Sequence, residues 1–453
     1  MTTHSRGVQE YVDRGSQAMA DRASAISAMR AKRFDTIAVH GLYGAQEALA
    51  NQGSIIEPAY LTTSQNFENS DHLEAALGYM IPAWGYSRIA NPTTGYLEAT
   101  LAMLEGYGYD GDVSAMVTSS GMSAVFMATQ PFLSAEHGMD MNFVSSVKVY
   151  GGTYQLFSER YAKERSVDVR WITDSMDLTE WEAAIDDETR FLYTEMPSNP
   201  GCAISDIEEL GRLAKRHGLP LIVDSTLASP ALMRPLCFGA DIVVHSLSKI
   251  VGASGMAIAG AVIARHGIRT RVGEPEMADD FATWVKLWPA RDFGPSLSPM
   301  SALLLLSELR SLRQRADVMS FTALEVARYL ASHPKISAVT YPGLDDAPHH
   351  DVAMKLMQLV DSKEPRYGSL LSFEVAGGDI ATRDAFDRLQ MIMRATDLGR
   401  VKTVAVIPAI STHQQQGVDA RDVASIPGNL VRLSIGLEHP EDIIADLAHA
   451  LEG

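Results

Sequence analysis

Between residues 116 and 264 the chain alternates short apolar runs with longer stretches of mixed polarity. The runs at 116–118, 142–144, 167–172, 190–193, 220–223, 242–244 and 260–264 are rich in Val, Ile, Phe and Leu. Each is closed by turn-forming residues, so each reads as a buried strand. The stretches between them suit helices. One carries a capping box, Ser205 with Glu208, and ends at Gly218. Strands alternating with helices in this way predict an α/β unit, a mostly parallel sheet with helices on both faces. Residues 1–84 read as a helical arm and an irregular segment, and the Ala-rich, mixed-charge stretch at 18–29 suits docking on a partner subunit. Residues 85–297 form the large α/β domain. The remainder, 298–453, reads as a smaller α+β domain, with a long helix from Met300 through Arg315, strands at 370–375 and 430–434, and a closing helix. That last helix places Ile443, Ile444, Leu447 and Leu451 on one face.

Ligands on such sheets bind outside the carboxyl ends of the strands. There the chain places His245-Ser246-Leu247-Ser248-Lys249. A Lys leaving a strand is ordinarily a solvated end. With two serines beside it, its amine can form a Schiff base with an aldehyde cofactor while the hydroxyls hold that cofactor's phosphate. Asp224 closes the strand at 220–223. A buried carboxylate needs a partner, and the protonated ring nitrogen of pyridoxal 5'-phosphate (PLP) would supply one. Ser119-Ser120-Gly121 turns into a helix beginning Met122-Ser123, where Gly121 admits close backbone approach and the helix N-terminus favours an anion.

Four further segments complete the set: Tyr86-Ser87-Arg88, Tyr150-Gly151-Gly152-Thr153, Glu195-Met196-Pro197-Ser198-Asn199-Pro200 and Arg432-Leu433-Ser434. Singly each is an ordinary turn or salt-bridge site. In this order they resemble the Cys/Met-metabolism family of fold-type I PLP enzymes, which includes cystathionine synthases and lyases, methionine γ-lyase and O-acetylhomoserine sulfhydrylase. The resemblance runs from about residue 36 to the C-terminus. It implies a PLP transferase with a seven-stranded, mostly parallel sheet. It implies that Lys249 carries PLP, that Asp224 pairs with the ring nitrogen and that Tyr150 stacks on the ring. Gly121, Met122, Ser246 and Ser248 would hold the phosphate, with Tyr86 and Arg88 reaching that of a neighbouring subunit. Asn199 and Arg432 would take the substrate carboxylate. The resemblance further implies a homotetramer built from dimers with shared active sites.

Within the family the details are closest to O-acylhomoserine sulfhydrylases. Methionine γ-lyases carry Cys where this chain has Gly152, and cystathionine-handling members carry Glu where it has Lys402. Asp397 departs from the family's usual Ser or Asn and puts an extra anion near the substrate carboxylate, tolerable only if it is paired or turned away. The expected reaction is γ-replacement on O-acetyl-L-homoserine by a sulfur nucleophile. Elimination of the γ-lyase type, replacement by a carbon or nitrogen nucleophile, and a non-catalytic scaffold are the alternatives; intact Lys249, Asp224 and Arg432 argue against the last.

Composition changes little. The 453 residues are 46% hydrophobic and 21% charged, ordinary for a soluble globular protein. A formal charge of −18 disfavours nucleic acid or an anionic membrane as partner. Two cysteines, Cys202 and Cys237, make a disulfide framework improbable. The 13 histidines show no metal-ligand spacing, and His349, His350 and His413 read as loop residues. No targeting segment or bilayer-spanning run is present, so a cytoplasmic enzyme is expected.

Overall fold

The computed structural model describes residues 6–138 and 140–452. Seven strands form the large sheet: β1 (Val113–Thr118), β2 (Asn142–Ser146), β3 (Asp168–Ile172), β4 (Thr189–Glu195), β5 (Leu221–Asp224), β6 (Ile242–His245) and β7 (Gly260–Arg265). Their order is β1-β7-β6-β5-β4-β2-β3, with β7 antiparallel to both neighbours and the rest parallel. All residues of β2, β4, β5 and β6 are buried, which is why these runs show no polar alternation. Successive side chains feed different cores. Val223 and Val243 join one, Ile222, Ile242 and Val244 the other.

The smaller sheet contains β8 (Ile336–Thr340), β9 (Leu370–Val375), β10 (Met393–Arg394), β11 (Val404–Val406) and β12 (Leu430–Ser434), in the order β10-β11-β12-β9-β8. The N-terminal helix covers Arg6–Arg30, and the chain closes with a helix at Pro440–Glu452 that buries Ile443, Leu447 and Leu451.

Two helix expectations need correction. The helix Ile207–His217 is capped by Asp206, whose carboxylate accepts from the amides of Glu208 and Glu209. Ser205 cannot serve, because its hydroxyl lies 2.9 Å from that of Thr194 in the core. The helix expected from Met300 through Arg315 is two helices, Pro299–Leu309 and Leu312–Ser332. At the break Arg315 turns inward and donates to the carbonyls of Ile250 (2.8 Å), Val251 (3.0 Å) and Glu308 (2.9 Å). The second helix thereby grips the turn that follows Lys249. Among the described residues no helix is long and apolar enough to cross a membrane.

Candidate active site

The carboxyl ends of β4, β5 and β6 bring Glu195, Asp224 and Ser246 to one rim of the sheet. Asp224 is buried, and its Oδ1 accepts from the amide (3.0 Å) and hydroxyl (2.6 Å) of Thr226. Among the described residues its Oδ2 takes no hydrogen bond. Burial raises its carboxyl above the ordinary range, so a cation placed at Oδ2 would bring it back down. Thr226 Oγ1 also accepts from the Ser246 amide at 2.8 Å, which ties the ends of β5 and β6 together.

Gly121 opens the helix Gly121–Thr129 above this rim. A Cβ there would lie 2.6 Å from the Ser246 Cβ, so only glycine lets the two turns meet. Ser120 caps the helix by accepting from the Ser123 amide at 3.1 Å. The Ser248 hydroxyl, by contrast, is engaged with Ala259, donating to its carbonyl (3.1 Å) and accepting from its amide (2.9 Å). Tyr150 is 41% exposed, and a Cβ on Gly152 would lie 2.5 Å from the Tyr150 ring and 3.1 Å from the Met122 sulfur.

Lys249 ends the turn after β6. Its Nζ donates to Asp397 Oδ1 at 2.8 Å. The other Asp397 oxygen is bonded by Arg400, which also donates to the carbonyls of Ser248 (2.7 Å) and Gly252 (3.0 Å). Burial acts to raise the Asp397 carboxyl, but Arg400 and Lys249 outweigh it and hold it below its ordinary range. The anion anticipated near the substrate is thus paired.

Behind Asp397 lies Arg432, on β12 and 1% exposed. It donates to Asn199 Oδ1 at 2.9 Å and to the Asp397 carbonyl at 2.9 Å, while its Nε is buried without a partner. Among the described residues no carboxylate is within ion-pair distance of it. Burial outweighs the surrounding acidic groups and lowers the guanidinium to about 10. A buried cation without a counter-charge is costly, of the order of 3–5 kcal/mol, and an anionic ligand would relieve it.

Two groups at this site were given no role from the sequence. Glu195 is buried, and its two oxygens accept from the amides of Tyr150 (2.7 Å) and Asn199 (2.9 Å), so one carboxylate sets both loops. Burial first, and the adjacent Asp224 second, push its carboxyl well above the carboxylate range. The signal available in sequence was a carboxylate closing a buried strand, the argument already applied to Asp224. His413, read as a loop residue, is 1% exposed and lies against Gly151, with Nε2 unpartnered. Burial and then Arg432 and Arg421 lower its imidazole to about 4.

Three expected residues stand apart from this cluster. Tyr86 and Arg88 are exposed, the Arg88 guanidinium 5.6 Å from the Tyr86 ring centroid, and Arg88 bonds the carbonyl of Arg291. Lys402 is exposed and makes no side-chain bond to Lys249, Asn199 or Arg432; beside it, Thr403 donates to Glu438 at 2.7 Å.

A carboxylate oxygen awaiting a cation, a glycine-tight turn at a helix N-terminus and a lysine amine at the end of the turn after β6 fit a pyridine-aldehyde phosphate, and the orphaned guanidinium fits an amino-acid carboxylate. The fold and these groups define a PLP enzyme acting on amino acids. Comparison with known proteins agrees. Residues 35–452 match the family of Cys/Met metabolism PLP-dependent enzymes, and the chain belongs to it. It is 33% identical over 446 residues to the O-acetyl-L-homoserine sulfhydrylase of Leptospira meyeri, covering 92% of this chain and 96% of that one. It is 34% identical over 402 residues to the L-methionine gamma-lyase of Fusobacterium nucleatum subsp. polymorphum, covering 88% and 94%. Its structure is similar to that of a putative O-acetylhomoserine (thiol)-lyase from Campylobacter jejuni, which carries N'-pyridoxyl-lysine-5'-monophosphate. The TM-score is 0.83, at 35% identity, over 93% of this chain and 100% of that one. The cofactor of this enzyme is PLP.

Proposed function

We propose that the enzyme performs γ-replacement on O-acetyl-L-homoserine with a sulfur nucleophile, releasing acetate. The observation that carries this reading is the buried Arg432, held by Asn199 with its Nε free, behind the Lys249 amine. Arg432 and Asn199 fix the α-carboxylate, so that the Cα proton faces Lys249. PLP supplies the electron sink when bound. Lys249 would hold it and, once freed by the substrate amine, would take the Cα proton on Nζ, remove a proton from Cβ as the Cγ–O bond breaks, and return protons to Cβ and Cα after the Cγ–S bond has formed. Asp224 would keep the ring nitrogen protonated through its free Oδ2. Gly121, Met122 and Ser246 offer donors to the phosphate, and Ser248 can join only by giving up Ala259. Tyr150 would cover the ring. Overall the Cγ–O bond breaks and a Cγ–S bond forms; with sulfide, the products are homocysteine and acetate.

The reading of replacement over elimination is supported by Gly152, which differs from methionine γ-lyases. A side chain there, such as the Cys of methionine γ-lyases, meets the Tyr150 ring. The exposed Tyr86 and Arg88 would complete the phosphate site of a second copy. Leu49, Ile55, Leu61, Leu77, Met256 and Ile258 are exposed apolar side chains that further copies would cover, in keeping with dimers paired into a tetramer. The two free cysteines suit a reducing cytoplasm.

The test is incubation of holoenzyme with O-acetylhomoserine and a panel of sulfur, carbon and nitrogen nucleophiles, read by mass spectrometry. Acetate with a thiol or thioether adduct is expected. Release of 2-oxobutyrate and ammonia as the dominant products, with nucleophile present, would replace this reading by a γ-lyase.

A further inference from the structure

A groove of about 350 Å³ lies between the large domain and the smaller sheet, and none of Lys249, Asp224, Asn199 or Arg432 lines it. That volume is at the small end of the roughly 300–1,000 Å³ usual for small-molecule pockets, which sets the ligand at amino-acid size. Its walls are apolar, with Met176, Ile204 and Val339 among them. Its charges are of both signs. Among the described residues the amine of Lys148, which lines it, has no acidic partner, and the carboxylate of Asp174, which also lines it, accepts only from the Met176 amide, at 3.0 Å. Apolar walls with one unpaired cation and one anion match a zwitterion with a hydrocarbon side chain.

The groove also touches the two loops that Glu195 sets. Lys148 stands two residues before Tyr150. On the other loop, Ser198 accepts from the Ala203 amide through its hydroxyl (3.0 Å) and donates its own amide to the Ala203 carbonyl (3.0 Å), closing a tight loop. Asn199 faces Arg432 from that loop, while Gly201, Cys202 and Ile204 face the groove. We infer that this groove is a second binding site, for a free α-amino acid with an apolar side chain, and that its occupancy is felt at Asn199. Because the two positions share one loop, a bound ligand changes KM for the amino-acid substrate by about fivefold, with kcat moved less.

The experiment is calorimetric titration of the holoenzyme with leucine and norleucine, repeated on Arg432→Ala, Lys148→Met and Val339→Trp proteins whose melting temperatures match wild type. Binding that survives Arg432→Ala and weakens at least tenfold in both Lys148→Met and Val339→Trp is expected. Binding that is lost in Arg432→Ala and retained in the groove variants would place the ligand in the catalytic centre and overturn the inference, as would an absence of binding at millimolar ligand. Neither result bears on the replacement reaction, which is measured separately by product analysis.

Discussion

The two ends of the large sheet treat buried charge in opposite ways. At the amino end of β6, Asp241 is fully buried and saturated: Arg265 reaches it at 2.6 Å, Arg269 binds both its oxygens, and the Leu221 amide donates at 2.9 Å. At the carboxyl end, Asp224 keeps one oxygen free, and Arg432, which reaches the same site through Asn199 from β12 of the smaller sheet, keeps a buried Nε unpartnered. The first arrangement holds the sheet together and has no capacity left for a ligand. The second is incomplete in itself, and its missing partners have the charges of a pyridinium and a carboxylate. Saturation of hydrogen bonds, rather than burial or charge, separates the structural site from the chemical one.

The comparison breaks most visibly at Lys249. Lys249→Ala should reduce turnover by about 10³-fold or more. Borohydride reduction should then trap no cofactor on the chain, whereas in the wild type the modified peptide contains Lys249. A trapped peptide carrying another lysine would move the site.

The next contrast sets the two ends against each other. Asp241→Ala leaves Arg265 and Arg269 without their acid and should cost about 3–5 kcal/mol of stability in denaturant unfolding, with kcat/KM of the folded fraction unchanged. Arg432→Leu should do the reverse, lowering kcat/KM by about 2–5 kcal/mol of binding while leaving the melting temperature equal or higher. Equal losses of stability in both variants would erase the distinction.

His413 supplies a pH readout at the carboxyl end. Its folded value is lowered to about 4 from an ordinary 6.5, so between those values the unfolded chain binds the extra proton. Its contribution is therefore full above about pH 6.5 and is lost as pH falls toward 4, by at most about 3 kcal/mol. His413→Asn should flatten the stability curve in that window, and an unchanged slope would mean the imidazole titrates normally.

Subunit sharing is tested by mixing inactive Arg88→Ala with inactive Lys249→Ala protein. Hybrids should recover a minor fraction of wild-type activity, because each hybrid dimer holds one site with both residues intact. No recovery despite demonstrated subunit exchange would keep Arg88 out of the site.

The smallest effect belongs to Lys402. An exposed charge is worth up to about 1 kcal/mol, so Lys402→Glu should raise cystathionine cleavage no more than about fivefold and leave replacement on O-acetylhomoserine unchanged. A larger gain would bring Lys402 to the substrate itself.

The sequence by itself determined what is local. Every strand of the large sheet was legible: β2, β4, β5 and β6 are buried throughout and read as apolar runs bounded by turns, and the partly exposed β1 and β3 still carry enough apolar and β-branched residues between turns to be read. Lys249, Asp224 and Gly121 stood out as candidates because each sits where a strand or helix begins or ends, and their order along the chain resembles one family. Tertiary structure alone decided whatever depends on distant partners. Ser205 and Asp206 are both good capping residues, and contact with Thr194 assigned the cap to Asp206. The break at Arg310-Ser311 follows from carbonyls at Ile250 and Val251 that Arg315 must reach. Asp397 read as a hazard until the fold set it between Lys249 and Arg400, and Glu195 and His413 acquired meaning only from the loops packed on them. Periodicity and turn chemistry record the conformation of neighbours, whereas whether a buried charge is satisfied depends on groups that the fold brings in from 20 residues away, as at Asp241, or from 233, as at Arg432.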